Sequence, residues 1–381
     1  MKTKEKLQEI WLKYRNLIKI FIQYFIVVFI LVMRQWNIVR KPYLWAEDGN
    51  IFINRAINDG FSAFITPYAG YFHFIPQFLT SIFYTFCKII NNVIFLPHMM
   101  WGSSVLIAAS VVFYFTSERF SWVLKKRRDR LIVCCLIVLL SINEISDLHG
   151  TLTNIQWWFG FFFFMISLNM FYKRELPSIV SVIFLILCGF STATIFPLFI
   201  MFMVMIAFKI LKYKLYKNDI IKFTIILIPT VVQLWSIIHS KRVSEDLFTY
   251  KKILGIVPSF FNLFGKLVTP QSINFYQYRM IVLGIILCAL LIYIFREIKG
   301  FAVFSLSYSM LFLAFCILPI AGNLNNISIA TGNYFATSGN VGGRYWFVTL
   351  MIMQLLLSVA LVKIWNVSEN SMGGVCLYLC L

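Results

Sequence analysis

Residues Ile20–Met33 read IFIQYFIVVFILVM, an uncharged apolar run that follows a lysine- and arginine-rich stretch between Met1 and Lys19. A helix that crosses a lipid bilayer needs such a run, because the hydrocarbon core accepts few charges. Similar runs recur along the whole chain. With 60% hydrophobic and only 13% charged residues, the composition excludes a soluble domain with a polar surface. The sequence therefore predicts an integral membrane protein.

The net charge of +19 would suggest nucleic-acid binding in a soluble protein. Here the basic residues instead border the apolar runs, and the strongest cluster is Lys125–Arg130. Basic residues accumulate on the cytoplasmic side of membrane proteins. No small-residue cleavage site follows Met33, so we expect a retained first span with both termini in the cytoplasm and no nucleic-acid partner.

The apolar runs predict an all-α, polytopic transmembrane bundle of about ten spans, or eight plus a re-entrant hairpin. The ambiguity lies in Pro177–Leu211, where Gly189–Thr194 divides the run into halves that are short against the ~20 residues of a span. The predicted spans are 20–33, 93–115, one from 131, one ending before 173, the two halves of 177–211, and 220–240, 280–295, 301–320 and 342–363.

The predicted membrane unit covers residues 1–367, and residues 368–381 are expected to form a short C-terminal tail. Residues 34–92 are predicted to be a long external loop with amphipathic interfacial helices such as Phe74–Ile90. A second external segment, 241–279, is expected to carry an amphipathic piece around Ile253–Phe264.

The external loop contains the stretch Trp45–Gly49, where Glu47 and Asp48 stand side by side. Acids are scarce in this chain, with 15 Asp and Glu in 381 residues. An acidic pair at a membrane surface is either a solvated turn or a catalytic group, and the sequence alone leaves both open. If both carboxylates face one pocket, their like charges raise one pKa, which favours proton abstraction near neutral pH.

The predicted topology places the other candidate site residues on the same external face as the acidic pair. Each also has a simpler interpretation: arginine as an interfacial anchor, histidine as an ordinary interfacial residue, and Asn154–Trp157 as a helix start with an aromatic belt. The candidates are Tyr71, His73, His149, Asn154, Gln156, Arg279, Arg344 and Tyr345.

Most of the eight cysteines lie inside apolar runs, for example Cys134, Cys188 and Cys316. They are not spaced as metal ligands and do not pair in external loops, so we interpret them as small apolar residues. No metal site is predicted.

The arrangement resembles the GT-C class of membrane glycosyltransferases, and most of all the bacterial or phage-encoded enzymes that modify O-antigen and other envelope polymers. The resemblance covers the layout of the chain and rests at residue level on Trp45–Gly49, Tyr68–Pro76, Asn154–Trp157 and Gly343–Trp346. The class often carries a soluble domain after its last span, whereas this sequence has only residues 368–381 there.

The resemblance implies transfer of a sugar from a polyprenyl-phosphate carrier to a glycan or lipid-linked acceptor, with inversion at the anomeric carbon. Asp48 would be the general base, with Glu47 as its substitute, and Arg344 and Arg279 would bind the phosphate. The residues expected to contact substrate are Tyr71, His73, His149, Asn154, Gln156 and Tyr345. No cofactor is expected beyond the lipid-linked donor, although a divalent metal stays open in this class.

The resemblance also implies a location in the bacterial inner membrane with the site facing outward. The expected partners are membrane lipid, a flippase and the enzyme that makes the donor. Two other functions fit the same pattern. A transporter or flippase of lipid-linked sugars would have polar residues near mid-membrane and an internal repeat. A noncatalytic subunit of envelope polysaccharide assembly would use Glu47 and Asp48 only for assembly.

Overall fold

The computed structural model describes residues 2–41, 43–44, 47–140, 150–172, 176–212, 214–240, 250–268, 277–298, 300–317 and 343–379. Within several helix ends, including residues 343–345 and 368–379, it describes the backbone alone. In this part of the chain the structure is all-helical, and its single β-type contact is the isolated bridge between Tyr68 and Tyr71. The predicted all-α class is confirmed.

We number the α-helices in chain order. The first seven are α1 (Lys2–Arg34), α2 (Trp36–Arg40), α3 (Asn54–Asn58), α4 (Phe74–Ile89), α5 (Leu96–Phe113), α6 (Arg127–Leu140) and α7 (Ile155–Tyr172). The others are α8 (Ile179–Gly189), α9 (Phe196–Leu211), α10 (Lys217–Ile238), α11 (Tyr250–Val268), α12 (Gln277–Ile294), α13 (Phe301–Ile317) and α14 (Gly343–Leu379). A π-helix, Asp48–Ile53, leads directly into α3.

Within the described ranges, six helical stretches are long and apolar enough to cross a membrane: Tyr14–Arg34, Val93–Thr116, Ile155–Tyr172, Ala193–Leu211, Lys217–Ile238 and Trp346–Val367. Four further apolar helices are shorter: Ile179–Gly189, Ile256–Gly265, Arg279–Ile294 and Phe301–Cys316. Large apolar side chains also cover the outside of the bundle, for example Phe21, Val204 and Ile286, each more than half exposed. Such a surface is unusual for a protein in water. The structure is therefore that of a membrane protein with six candidate spans, and the count of ten stays a prediction.

One end of the bundle, which we call the Asp48 end, collects the segments that follow α1, precede α5 and precede α7. Gln35 accepts a hydrogen bond from the Trp101 indole at 2.8 Å, and Ser104 donates to the Thr151 carbonyl at 3.1 Å. At the start of α14, Phe347 packs edge-on against Trp158, with ring centroids 4.8 Å apart. The N-terminal parts of α5, α7 and α14 therefore meet at the Asp48 end.

The opposite end, the Arg130 end, contains the basic cluster. The Arg130 side chain is fully buried and donates to the carbonyls of Thr116 and Leu124 at 3.1 and 2.7 Å. The Asn366 amide of α14 donates to Asp129 at 2.8 Å, so α14 runs from the Asp48 end to the Arg130 end. Lys209 and Asp219 join α9 to α10 there at 2.6 Å.

Helix α7 forms the centre of the bundle. Its residues from Ile155 to Met170 are all buried. The helix has no charged residue, and a helix that is apolar all round belongs in an interior. Trp158 packs against α14, Phe162 packs against Phe184 of α8, and Phe164 packs against Tyr308 of α13. These aromatic contacts hold α7 between helices from both halves of the sequence.

The predicted amphipathic helix in 34–92 corresponds to α4, which lies across the Asp48 end. The start of α4 is fixed to the turn after α8, because the Ile75 amide donates to Ser191 Oγ at 2.9 Å. Its end leads through a short 3₁₀ turn, Val93–Phe95, into α5. Both ends of α4 therefore lie at the same end of the bundle.

The run 177–211 forms a helical hairpin of α8 and α9, with the turn 190–195 at the Asp48 end. Both predicted alternatives, the tight helical hairpin and the re-entrant loop, contain such a turn. Helix α8 has only 11 residues, about 16 Å at 1.5 Å per residue, which is half a bilayer core. The side chain of Pro229 in α10 fills the space beside Gly189.

Helices α11 and α12 form a close antiparallel pair. A Cβ added to Gly265 would lie 2.2 Å from the Met280 carbonyl oxygen, and one added to Gly284 would lie 1.9 Å from the Phe261 carbonyl oxygen. Only glycine permits this approach. The amphipathic piece expected around Ile253–Phe264 therefore lies alongside a bundle helix. Helix α14 continues from the last predicted span into the segment predicted as the C-terminal tail and ends at Leu379.

Candidate functional site

Asp48 is the most unusual charged residue of the Asp48 end, because its side chain is buried with only 3% of its surface exposed. Its Oδ1 accepts hydrogen bonds from the Thr153 amide at 2.8 Å and from the Thr153 hydroxyl at 2.5 Å. Its Oδ2 accepts one from the Leu152 amide at 3.2 Å. The carboxylate therefore joins the segment between α2 and α3 to the segment just before α7.

Burial raises the pKa of Asp48 to about 6, because removal from water penalises the charged form. The hydrogen bonds from Thr153 and Leu152 oppose this, since they stabilise the carboxylate, and the neighbouring charge of Glu47 adds a smaller increase. Glu47 itself is half-buried at the start of the same helical turn. A carboxyl group that titrates near pH 6 is suited to exchange protons near neutral pH.

The segment that holds Asp48 is itself braced by neighbouring helices. The Thr151 carbonyl accepts from Ser104 of α5, and Asn154 donates from its amide to the Thr151 hydroxyl at 2.8 Å. Gly150 lies so close to Trp101 that an added Cβ would be 2.8 Å from its ring. A larger residue at position 150 would push this segment away from α5.

Tyr71, His73 and Gln156, which the sequence predicted to share one face of the membrane, come together beside this segment. The Tyr71 hydroxyl donates to Gln156 Oε1 at 2.9 Å, and the Tyr71 and His73 rings stack with centroids 4.4 Å apart. His73 is only 1% exposed and packs against Phe52 and Tyr68 as well. Burial lowers the pKa of His73 to about 3, opposed by its hydrogen bond to the Tyr71 carbonyl, so the imidazole is neutral near pH 7. His73 therefore packs against one face of the Tyr71 ring.

The chain around Tyr71 is fixed by α10, through residues that the sequence analysis did not single out. Gln233 is fully buried, accepts from the Phe72 amide at 3.0 Å, and donates to the Phe72 and Gly189 carbonyls at 3.3 and 2.9 Å. Ser236 donates to the Gly70 carbonyl at 3.1 Å. A glutamine within an otherwise apolar span was the available sequence signal, because such a residue needs internal partners.

The structure describes some of the remaining predicted residues only in part. Arg344 and Tyr345 lie in the first turn of α14, which begins at the Asp48 end, but their side chains are outside the described part of the chain. Arg279 is exposed in the first turn of α12. His149 lies outside the described residues. Thr153 was missed as a site residue, although it stands directly before the predicted Asn154–Trp157 stretch.

Among the described residues, no group of three or more His, Cys, Asp or Glu side chains could hold a metal ion. Comparisons with family models, with curated proteins and with solved structures found no match to this chain. The fold defines the class of protein as an all-helical membrane protein. Because the comparisons found no match, its function must be inferred from the site.

Proposed function

We propose that this protein is a membrane glycosyltransferase of the GT-C type, which transfers a sugar from a polyprenyl-phosphate donor to a cell-envelope glycan or lipid-linked acceptor. The observation that carries the proposal is the buried Asp48 carboxylate, whose pKa is raised to about 6 at one end of a membrane bundle. Asp48 is the general base, and Glu47 is its closest substitute.

The proposed reaction forms one bond and breaks another at the anomeric carbon. Asp48 takes the proton of the acceptor hydroxyl, whose oxygen bonds to that carbon. The bond from the same carbon to the phosphate oxygen breaks on the opposite face, so the configuration inverts and the polyprenyl phosphate leaves. Arg344 and Arg279 bind the departing phosphate, because guanidinium groups offer several donors to its oxygens. No cofactor is needed for this step.

The hydrogen bonds of Asp48 are compatible with a base. A carboxylate oxygen can accept about two hydrogen bonds. Oδ1 accepts two from Thr153, whereas Oδ2 accepts one from Leu152 in the described structure. Thr153 therefore orients the carboxylate, and Oδ2 is the proposed proton acceptor. Tyr71, Asn154 and Gln156 lie around the same segment, where they would contact the sugar.

The proposed orientation places the Asp48 end outside the cytoplasmic membrane of a bacterium, with the basic Arg130 end inside. Ten described helices run between the two ends in this proposal: α1, α5 to α10 and α12 to α14. Four of these helices, α6, α8, α12 and α13, are short for a span. They would cross a locally thinned bilayer or be extended by their turns. The donor's lipid tail would lie along the apolar surface of the bundle.

A transporter or flippase of lipid-linked sugars is the second function considered. It would need polar groups near the middle of the membrane. Neutral polar groups such as Gln354 and Ser309 are buried within α14 and α13, but the described buried acids, lysines and arginines lie at the ends of the bundle: Asp48 at one, and Asp129, Arg130, Asp219 and Lys222 at the other. This distribution favours a site at the membrane surface.

The proposal is tested with membranes that contain matched amounts of wild type, Asp48→Asn, Glu47→Gln or Glu297→Gln. Glu297 is an exposed acid at the Arg130 end and serves as the control. The membranes receive radiolabelled polyprenyl-phosphate glucose, galactose and N-acetylglucosamine in turn, and label in envelope polysaccharide is counted. We expect Asp48→Asn to reduce transfer by about 10²- to 10⁴-fold, as loss of a general base does. Glu297→Gln should retain it.

Full transfer by both Asp48→Asn and Glu47→Gln would refute the catalytic role of the acidic pair. Loss of transfer together with loss of the folded protein would instead point to the assembly role of a noncatalytic subunit. Elution of each variant from a sizing column in detergent separates these outcomes, because a folded but inactive Asp48→Asn protein supports only the catalytic role.

A further inference from the structure

A separate open pocket lies beside the Asp48 turn, on the exposed side of the π-helix and α3. Its volume is about 280 Å³, just below the ~300–1,000 Å³ of typical small-molecule pockets. Three asparagines follow one another at intervals of four residues, Asn50, Asn54 and Asn58, so they share one face of the helix. The other lining residues are Ile51, Arg55, Asp59 and Tyr68.

Arg55 is already used to build the wall of this pocket. Its guanidinium donates to the carbonyls of Thr66 and Pro67 at 2.9 and 3.1 Å. It also lies 5.7 Å from the centre of the Tyr68 ring, a cation–π contact. Asp59 lies on the same rim. An arginine engaged in this way, beside an acid, makes a poor site for phosphate or another anion.

The lining suits a neutral polyhydroxylated ligand. Carboxamides both donate and accept hydrogen bonds, as sugar hydroxyls do, and the Asp59 carboxylate accepts from two hydroxyls at once. The Tyr68 ring offers an apolar face. The volume fits a short saccharide and excludes a polyprenyl chain.

The pocket is linked to the Asp48 segment by direct contacts. The Tyr68 ring lies 5.5 Å from His73, His73 stacks on Tyr71, and Tyr71 donates to Gln156 in the first turn of α7. Asn50 is also only two residues from Asp48, whose carboxylate is held on the α7 side. The pocket therefore lies on the same helical segment as the proposed base, on the exposed side of that segment.

We infer that this pocket, defined by Asn50, Asn54, Asn58 and Asp59, binds the neutral glycan part of the acceptor. The inference rests on the proposed transferase function for the identity of the ligand as acceptor, but its binding test does not depend on transfer. In this proposal the external loop selects the acceptor, and the bundle binds the donor.

The test measures binding of fluorescent neutral oligosaccharides of glucose, galactose, mannose and rhamnose, two to four units long, to the full chain in detergent without donor. A phosphorylated set of the same sugars is measured beside them. The test variant is Asn50→Ala/Asn58→Ala, whose two side chains are exposed, and the control is Asn16→Ala, an exposed asparagine of α1. We expect the double variant to weaken the best neutral ligand by about tenfold, as loss of two hydrogen bonds would, and the control to match wild type.

Equal binding by the double variant and wild type would overturn the inference, as would a preference for the phosphorylated set or no binding of any neutral oligosaccharide. In the transfer assay, the double variant should raise the KM for acceptor and leave kcat unchanged. Absence of transfer by wild type would refute the proposed function, whereas the binding measurement would still decide whether the pocket binds glycans.

Discussion

At the residue scale, the main feature is a carboxylate held from far along the chain. Leu152 and Thr153, which bind Asp48, are 104 and 105 residues away in sequence. These three hydrogen bonds restrain the pKa of Asp48, which burial would otherwise raise further. The proton affinity of the proposed base is therefore set jointly by the segment between α2 and α3 and by the segment before α7.

This joint control predicts the effect of Thr153→Val. In wild type, the hydrogen bond from the Thr153 hydroxyl lowers the pKa of Asp48. The variant removes this hydrogen bond, so the pKa of Asp48 should rise. In wild type, transfer should increase with pH through about 6, because the base must be ionised. Thr153→Val should shift this rise to higher pH, so that its transfer is reduced several-fold near pH 6 and only slightly at pH 8.

The pH dependence of transfer, measured at saturating donor, tests this expectation. The matched control is Thr224→Val in α10, an exposed threonine whose hydroxyl donates to the Ile220 carbonyl. Its profile should equal that of wild type. A Thr153→Val profile with unchanged midpoint would show that Asp48 is not the group that titrates.

The sequence predicted part of this site. The scarcity of acids singled out Glu47 and Asp48, and the predicted topology put Tyr71, His73, Asn154 and Gln156 on their side of the membrane. The structure brings these residues together through the Tyr71–Gln156 hydrogen bond and the stacked His73 ring. The partners of Asp48 could not be predicted, because backbone amides carry no residue-specific signal. Burial of His73 depends on tertiary packing, which the sequence pattern does not encode.

At the element scale, helix packing at the glycines of α11 and α12 decides how these two helices associate. The pattern of apolar runs in the sequence predicts α12 as a span but gives no partner for α11, because the amphipathic pattern of α11 fits either a membrane surface or a protein surface. Gly265 and Gly284 are the relevant residues, since each lies against the backbone of the other helix.

Gly284→Ala should therefore destabilise the protein. An added methyl group would lie 1.9 Å from the Phe261 carbonyl oxygen, so the two helices must separate, and overpacking of this kind costs about 1–3 kcal/mol. Gly102→Ala in α5 is the matched control, because no atom lies within 4 Å of its added Cβ. Alanine there should leave stability unchanged or increase it slightly.

Thermal unfolding of the two variants in the same detergent measures the difference. A midpoint of Gly284→Ala equal to that of Gly102→Ala would show that α11 and α12 do not pack through these glycines.

At the scale of the whole molecule, the two ends differ in charge. The basic residues of Arg127–Arg130 and Lys209–Lys217 lie at the Arg130 end, whereas Asp48 lies at the other. The sequence predicted this separation from the position of the basic residues relative to the apolar runs. The number of spans was harder to predict, because α8, α12 and α13 are apolar but short.

Cysteine labelling tests the predicted orientation. In a background without native cysteines, Ile65→Cys, at an exposed position of the external loop, should react with a membrane-impermeant maleimide in intact cells. Lys212→Cys, exposed after α9, should react only after the cells are permeabilised. The reverse pattern would place the Asp48 end in the cytoplasm.

The complete burial of α7 also bears on how the chain is assembled during synthesis. Helix α1 packs on α5 and α6, which are made soon after it, so the first part of the bundle can associate early. Helix α7 packs on α5 but also on α13 and α14, which emerge last from the ribosome. Until α13 and α14 are made, the aromatic side chains of α7 must remain exposed to lipid or bound to a membrane chaperone. Chains cut short before α14 should therefore be prominent substrates of membrane quality control.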